Sequence, residues 1–267
     1  MTTRGGLLIA GVVVSVDGLA IDNPITAPSW CKLDGRDYRR RRSSWIRQII
    51  VHTTKGLHPQ HVIPGAGAGG RARHVAEFWR RDETHSAAHL VVDTDGAVAC
   101  LADVAEINAY HATVSNDWSV GIELYQEADG GIYAATLASA VALVRALCEQ
   151  LSIPLQIPTA YRGRPIERMA DGGPTCAGVF GHRDNTTRRG RGEPGDAIMH
   201  ELELAGAERL DFDRGVDLAR WADRQRKLNA MGETLTVDGL AGPGTMRALR
   251  RHGFTSGREL DAAVEAQ

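Results

Sequence analysis

No two cysteines in this chain stand at metal-ligand spacing. Cys31, Cys100, Cys148 and Cys176 are far apart, which excludes a dense disulfide framework and a cysteine-rich zinc module. Reduced, mostly buried thiols are expected. Neither sign of charge dominates: 31 basic residues face 33 acidic ones, a formal net charge of −2. A dedicated nucleic-acid binder is usually strongly basic, so no nucleic-acid partner is expected. Near the N-terminus a long apolar run is missing too. The stretch from Leu7 to Val14 is too short to span a bilayer. It reads as a β-hairpin carried on to Asp17-Gly18, a hairpin turn signal, rather than as a signal peptide. Internal repeats and long low-complexity tracts are lacking. What remains is 267 residues, 43% hydrophobic and 24% charged. That is an ordinary globular composition, with room for one large domain or a medium and a small one.

Hydrophobic periodicity organises the chain. Residues 1–44 read as short strands and loops, and residues 47–53 as a strand ending near His52. Gly65 to Gly70 is a flexible loop. Val75, Phe78 and Trp79 predict a short amphipathic helix. Ala87–Asp93 and Ala97–Leu101 read as strands joined through Thr94-Asp95-Gly96, and Ser119–Tyr125 as another. The clearest helix is Thr136–Leu151, with Leu137, Val141, Val144, Cys148 and Leu151 on one stripe and Pro154 beyond its end. Val179-Phe180-Gly181 is a short strand leading into His182. The expected class is α/β, a central mixed β-sheet flanked by helices. Composition shifts after residue 207, and helices are expected at 218–229 and 246–251. We therefore expect a larger domain over 1–207, including an N-terminal extension (1–44), and a small all-α domain over 208–267.

Arginine is clustered. Arg36, Arg39, Arg40, Arg41, Arg42 and Arg47 form one group, read first as a solvated loop face. Arg183, Arg188, Arg189 and Arg191 form another, where an anion-attracting surface is an equal reading.

His52 and His182 each end or follow a short apolar run with strand character. An imidazole at a sheet rim can hold a divalent metal that stays open to substrate. A lone histidine at a strand end is more often structural; two, each beside polar loop residues, bring the metal reading level with that one. Glu193, in a Gly-Glu-Pro-Gly turn, is either an exposed loop residue or a third zinc ligand. Glu123 sits between Ile122 and Leu124, whose side chains face the other way in a strand. A carboxylate there needs partners or a polar cleft, and near a metal it can act as general base. His111 is a surface histidine or a substrate contact. His89 is half-buried structure or an outer partner of a metal ligand. Two histidines, a further oxygen ligand and a separate carboxylate are the parts of a zinc hydrolase.

These motifs occur in the order of a known family. Ile50-Val51-His52-Thr53-Thr54, Ser86-Ala87-Ala88-His89-Leu90-Val91-Val92 with Asp95-Gly96, Tyr110-His111-Ala112, Val120-Gly121-Ile122-Glu123-Leu124 and Gly181-His182-Arg183-Asp184 resemble the zinc-dependent N-acetylmuramoyl-L-alanine amidases of the type-2 amidase and peptidoglycan-recognition-protein superfamily. The likeness covers about residues 46–196. It implies Zn2+ held by His52, His182 and Glu193, at a position where the family more often has Asp or Cys. It implies Glu123 as the catalytic carboxylate, in the branch that uses glutamate rather than a tyrosine aligned with Ala88. It places Arg191 where a lysine usually supports the oxyanion; arginine keeps the charge but not the geometry. Thr53 and His111 fall on the substrate side.

The tail, from Gln225-Arg226-Lys227-Leu228-Asn229 through Val237-Asp238-Gly239-Leu240-Ala241-Gly242-Pro243-Gly244-Thr245 to Ala248-Leu249, resembles a small three-helix peptidoglycan-binding domain. Together the two likenesses imply a phage or prophage endolysin: a monomer made in the cytosol without a clear signal peptide. It would act on glycan strand and stem peptide of the bacterial wall, with no membrane insertion. The rivals are a non-catalytic peptidoglycan-binding protein and an amidase of muropeptide recycling or antibacterial attack.

Overall fold

The computed structural model describes residues 5–33, 38–41, 45–54, 70–81, 86–126, 131–158, 176–185, 193–210 and 214–266. Its centre is a six-stranded mixed sheet. β5 (Gln48–Thr53) lies between β11 (Gly178–Gly181) and β9 (Ser119–Leu124), and β6 (Leu90–Val92), β7 (Val98–Cys100) and β3 (Ile21–Asp22) continue the sheet. β11, β5, β9 and β6 run parallel, β7 runs antiparallel to β6, and β3 pairs parallel with β7. Every residue of β5 is buried. A strand covered on both faces reads as a nearly continuous apolar run, and Ile49-Ile50-Val51 is that run.

Alternation divides the sheet into two faces. Ile49, Val51, Val120, Ile122, Leu124 and Val179 pack toward α2 (Ala134–Leu151) and α4 (Asp196–Leu204). The opposite face carries His52 and Glu123 and, farther along, meets α1 (Arg71–Arg81) through Val75, Ala76 and Trp79. The expected α1 helix, the strands around Thr94-Asp95-Gly96 and the long helix α2 are all present.

Two details differ from the sequence-based expectation. The hairpin of β1 (Leu7–Ile9) and β2 (Val12–Val14) turns at Ala10-Gly11, both at positive φ, not at Asp17-Gly18. Asp17-Gly18 makes a separate turn that leads into β3, with Leu19 N–H donating to Val16 O at 3.1 Å. The fully buried stripe of α2 runs through Thr136, Ala140, Leu143, Val144, Leu147 and Cys148, whereas Leu137, Val141 and Leu151 are only partly buried. This helix is apolar over most of its circumference, so the sheet chooses the face. By length and composition α2 is the one helix among the described residues apolar enough to cross a membrane; here its stripe covers the sheet.

The first arginine cluster is largely structural rather than a solvated face. Arg39 pairs with Asp117 at 2.8 Å. Arg41 donates to the carbonyls of Asn116, Val104 and Ser119 at 3.0, 3.2 and 2.9 Å. Arg47 lies over the rings of Trp45 and Trp118, 5.4 and 4.7 Å from their centroids. Buried carbonyl acceptors stand in for water around Arg41, and burial pulls its pKa down to about 10. Arg40 alone of the described members is well exposed, 3.7 Å from Glu106. Arg36 and Arg42 lie outside the described residues, as do Gly65 to Gly69 of the glycine-rich stretch. The N-terminal strands are built into the domain: β3 edges the main sheet, and β4 (Tyr38–Arg40) pairs with β8 (Ile107–Ala109).

The C-terminal helices form a separate all-α region. α5 (Arg214–Ala230), α6 (Pro243–Arg251) and α7 (Gly257–Glu265) enclose Trp221, Leu228, Met246, Leu249 and Leu260. Pro243 at the first turn starts α6 earlier than expected, a position where its missing N–H costs nothing. α7 is capped by Ser256, which accepts from Glu259 N–H at 3.3 Å. The region is pinned to the sheet domain by Arg224, buried between Glu208 of β12 (Glu208–Leu210) at 3.0 Å and Asp261 of α7 at 2.8 Å. β12 in turn pairs with β10 (Gln156–Pro158). Removing one partner of a buried ion pair costs about 3–5 kcal/mol when the other charge is stranded; here Asp261 keeps Lys227 at 2.8 Å and Glu208 keeps the N–H of Arg258, so the low end of that range applies. Arg224→Ala is therefore expected to lower the stability of the full chain by that order. Urea unfolding would check it, and a loss below about 1 kcal/mol would show that Lys227 and the Arg258 N–H suffice for the two carboxylates.

Candidate metal centre

β11, β5 and β9 lie side by side and parallel, and one of the candidate residues His182, His52 and Glu123 stands at or just beyond the carboxyl end of each. This is where open parallel sheets place their ligands. His52 is in register with Glu123 on the neighbouring strand, so both side chains leave the same face. His182 follows the last residue of β11 and opens the short helix α3 (His182–Asn185). Its turn is held by Asp184, whose Oδ2 accepts Gly181 N–H at 2.8 Å. Burial pushes the Asp184 carboxyl up to about 6.

Glu193 is brought in by backbone contacts. Its carbonyl accepts Arg183 N–H at 2.9 Å. The following Pro194 packs on Gly181, where an added Cβ would come within 2.7 Å of Pro194 Cδ. Arg183 also grips Asp196 at 2.6 Å, tying α3 to the start of α4.

The result is a buried cluster. His52 Nδ1 and His182 Nδ1 are 2.9 Å apart, and His182 Nδ1 is 3.5 Å from Glu193 Oε1. One ligand atom from each of the three residues lies within 4.8 Å of the others, the one such group among the described residues. Tetrahedral ligand atoms held at about 2.0–2.2 Å from a zinc ion stand roughly 3.3–3.6 Å apart. The donor set therefore fits a zinc ion: two imidazole nitrogens and a carboxylate oxygen, with a fourth position left for water or substrate.

The cluster opens into a cleft of about 200 Å³ lined by Thr53, Thr54, Trp79, Ala88, Tyr110, His111 and Glu123 as well as His52, His182 and Glu193. A cleft of about 530 Å³ lies where α6 meets the sheet domain, lined by Arg41, Trp45, Glu106 and Arg247 among others. Its lining has no group of metal-ligating side chains, so chemistry rather than size marks the site.

The structure brings together His52, His182, Glu193, Glu123, Thr53 and His111. His111 stands against His52, with its Nδ1 3.0 Å from His52 Nε2. Burial, aided by His52, His89, His182 and Arg41, holds its imidazole well below the usual range and keeps it neutral. Asn116 Oδ1 fixes the loop by accepting the N–H groups of His111 at 3.1 Å and Ala112 at 2.6 Å. His89 is one layer farther away. It is fully buried, its Nδ1 accepts Gly121 N–H at 3.0 Å, and its Nε2 lies 3.0 Å from Ile107 O. Burial, then the neighbouring Arg41, pulls its pKa down to about 3. Arg191 lies outside the described residues.

Sequence reasoning misses two residues of the site: Ser119 and Gly121. With Glu123 they occupy alternate positions of β9 and so share its site face, a period-2 signal present in the sequence. An added Cβ at Gly121 would fall 2.6 Å from His111 Cγ. Gly121→Ala should therefore push the ring off His52. Outer partners of metal ligands are typically worth 10–100-fold in metal affinity, and a loss of roughly that size is expected in a zinc titration. Unchanged affinity would mean that the ring moves without consequence.

A family model described as N-acetylmuramoyl-L-alanine amidase (Amidase_2) matches residues 41–196. Similar solved structures include a selenomethionine AmpD derivative (18% identity, 64% of this chain and 92% of that chain, TM-score 0.43). Others are a mutant endolysin from Bacillus subtilis (25%, 51% and 80%, TM-score 0.36) and PGRP-Hd from Alvinella pompejana (11%, 73% and 99%, TM-score 0.45). No curated protein matches. The matched segment spans more than half of the chain and contains both histidines, Glu123 and Glu193, so this protein belongs to the N-acetylmuramoyl-L-alanine amidase family Amidase_2.

Proposed function

We propose that this protein cleaves bacterial peptidoglycan by hydrolysing the amide between the lactyl group of N-acetylmuramic acid and L-alanine of the stem peptide. The observation that carries the reading is the meeting of His52, His182 and Glu193 in a cleft that Glu123 also lines. Those three residues would hold Zn2+. When bound, the ion supplies Lewis-acid polarisation of the scissile carbonyl and activation of water near neutral pH.

Glu123 takes the proton as water adds to the carbonyl carbon. The C–N bond then breaks, and Glu123 returns that proton to the leaving amine of L-alanine. The lactyl carboxylate and a free amino terminus are the products. Arg191, two residues before Glu193 in the chain, supports the oxyanion. Thr53 and His111 border the cleft that receives the substrate. The separate helical region holds peptidoglycan and keeps the catalytic cleft on the wall. Such a two-part protein fits a monomeric phage or prophage endolysin, made in the cytosol and acting on the cell wall.

Purified sacculi digested with and without a zinc chelator test this directly. Mass spectrometry should find free stem peptides beginning at L-alanine, lost on chelation and restored by zinc. Intact peptidoglycan under zinc-replete conditions would sink the hydrolase and leave a binding protein. Cleavage of soluble muropeptides but not of sacculi would instead indicate a recycling amidase.

A further inference from the structure

We infer that the Ser119 hydroxyl sets the tautomers of two successive histidines and thereby turns a lone pair of His52 toward the metal position. The Ser119 hydroxyl lies 2.6 Å from the backbone carbonyl of Ser115. A carbonyl can only accept, so the single hydroxyl proton is committed there. The same oxygen is 3.1 Å from His111 Nε2 and must accept at that contact. His111 therefore carries its proton on Nε2.

A neutral imidazole has one N–H, which leaves His111 Nδ1 bare. That atom, 3.0 Å from His52 Nε2, accepts in turn. His52 is then protonated on Nε2, and its Nδ1 presents a lone pair to the space bounded by His182 and Glu193. Only an unprotonated nitrogen can ligate a metal.

The anchor is rigid. Ser115 and Ser119 are fully buried. The Ser115 hydroxyl also receives Asn185 Nδ2–H at 2.7 Å, and Asn185 belongs to α3, the helix that begins with His182. The chain of hydrogen bonds that orients one histidine thus reaches the element that carries the other. Ser119 is a positioning residue that touches neither substrate nor metal.

The consequence for zinc rests on the metal centre proposed above, but the tautomers are read in the metal-free protein, so the two can fail separately. Nitrogen-15 NMR of the histidine rings in the metal-free protein should show His111 and His52 both protonated on Nε2. A His52 ring protonated on Nδ1, or a His111 ring protonated there, would overturn the inference without touching the amidase reading. In Ser119→Ala, the preference of His111 for one tautomer should weaken. Zinc affinity, measured by competition with a chromogenic chelator, should fall roughly 10–100-fold. A variant that keeps wild-type tautomers, whatever its affinity, would also overturn it.

Discussion

Glu123→Gln is expected to lower the turnover of peptidoglycan by roughly 10²- to 10⁴-fold, the range that positioned general acid–base groups supply. Glutamine keeps the size of the side chain and its place on β9, opposite His52 in register. It cannot take a proton from water or hand one to the amine. The fold and the cluster of His52, His182 and Glu193 should be unaffected, because Glu123 is not one of the three close-set donors. The expected signature is a lost rate with zinc content and KM nearly unchanged, read by metal analysis and by release of amino termini from sacculi. Near-normal turnover would remove Glu123 from the chemistry and move the general base elsewhere in the cleft.

His182→Ala is expected to act through the metal. The substitution leaves two ligands, too few for a zinc site that normally has three protein ligands and an open position. Loss of polarisation worth several kcal/mol, at about 1.36 kcal/mol per tenfold, predicts a fall on the order of 10³-fold or more. Bound zinc should drop from near one equivalent to near none at micromolar metal. Because His182 sits beyond the end of β11 rather than in the apolar layer under α2, secondary structure should survive by circular dichroism. Retained zinc and activity in this variant would show that the imidazole is not a ligand. The two variants thus separate two kinds of failure, one losing the proton shuttle with the metal kept, the other losing the metal.

Much of the site is legible in the sequence. His52 and His182 stand out because each closes an apolar run, and such runs become buried parallel strands whose carboxyl ends border the cleft. Glu123 stands out because a carboxylate flanked by Ile122 and Leu124 must face a polar space. The third helix of the tail also carries a local signal: Ser256 followed three residues later by Glu259 is a capping pattern.

Other features are not legible, for physical reasons. Arg41 looks like surface charge until the fold supplies three backbone carbonyls around it. The buried face of α2 is undetermined by a helix that is apolar nearly all round. The hairpin turn could fall at Ala10-Gly11 or Asp17-Gly18, since both offer a glycine at positive φ; strand pairing decides. His111 in a polar loop gives no hint that it rests on Gly121 and touches His52.

The sequence by itself determined which donor types this protein carries, their order along the chain, and the strand ends on which His52, Glu123 and His182 are mounted. These follow from local rules: apolar runs, period-2 alternation and turn chemistry. Only the tertiary structure decided that His52 and His182, 130 residues apart, meet at 2.9 Å, that Glu193 reaches them, and that Ser119 and His111 leave His52 Nδ1 facing His182 and Glu193. Those facts depend on strand order and on which groups a closed core leaves without water, and neither is written in any local stretch of the chain.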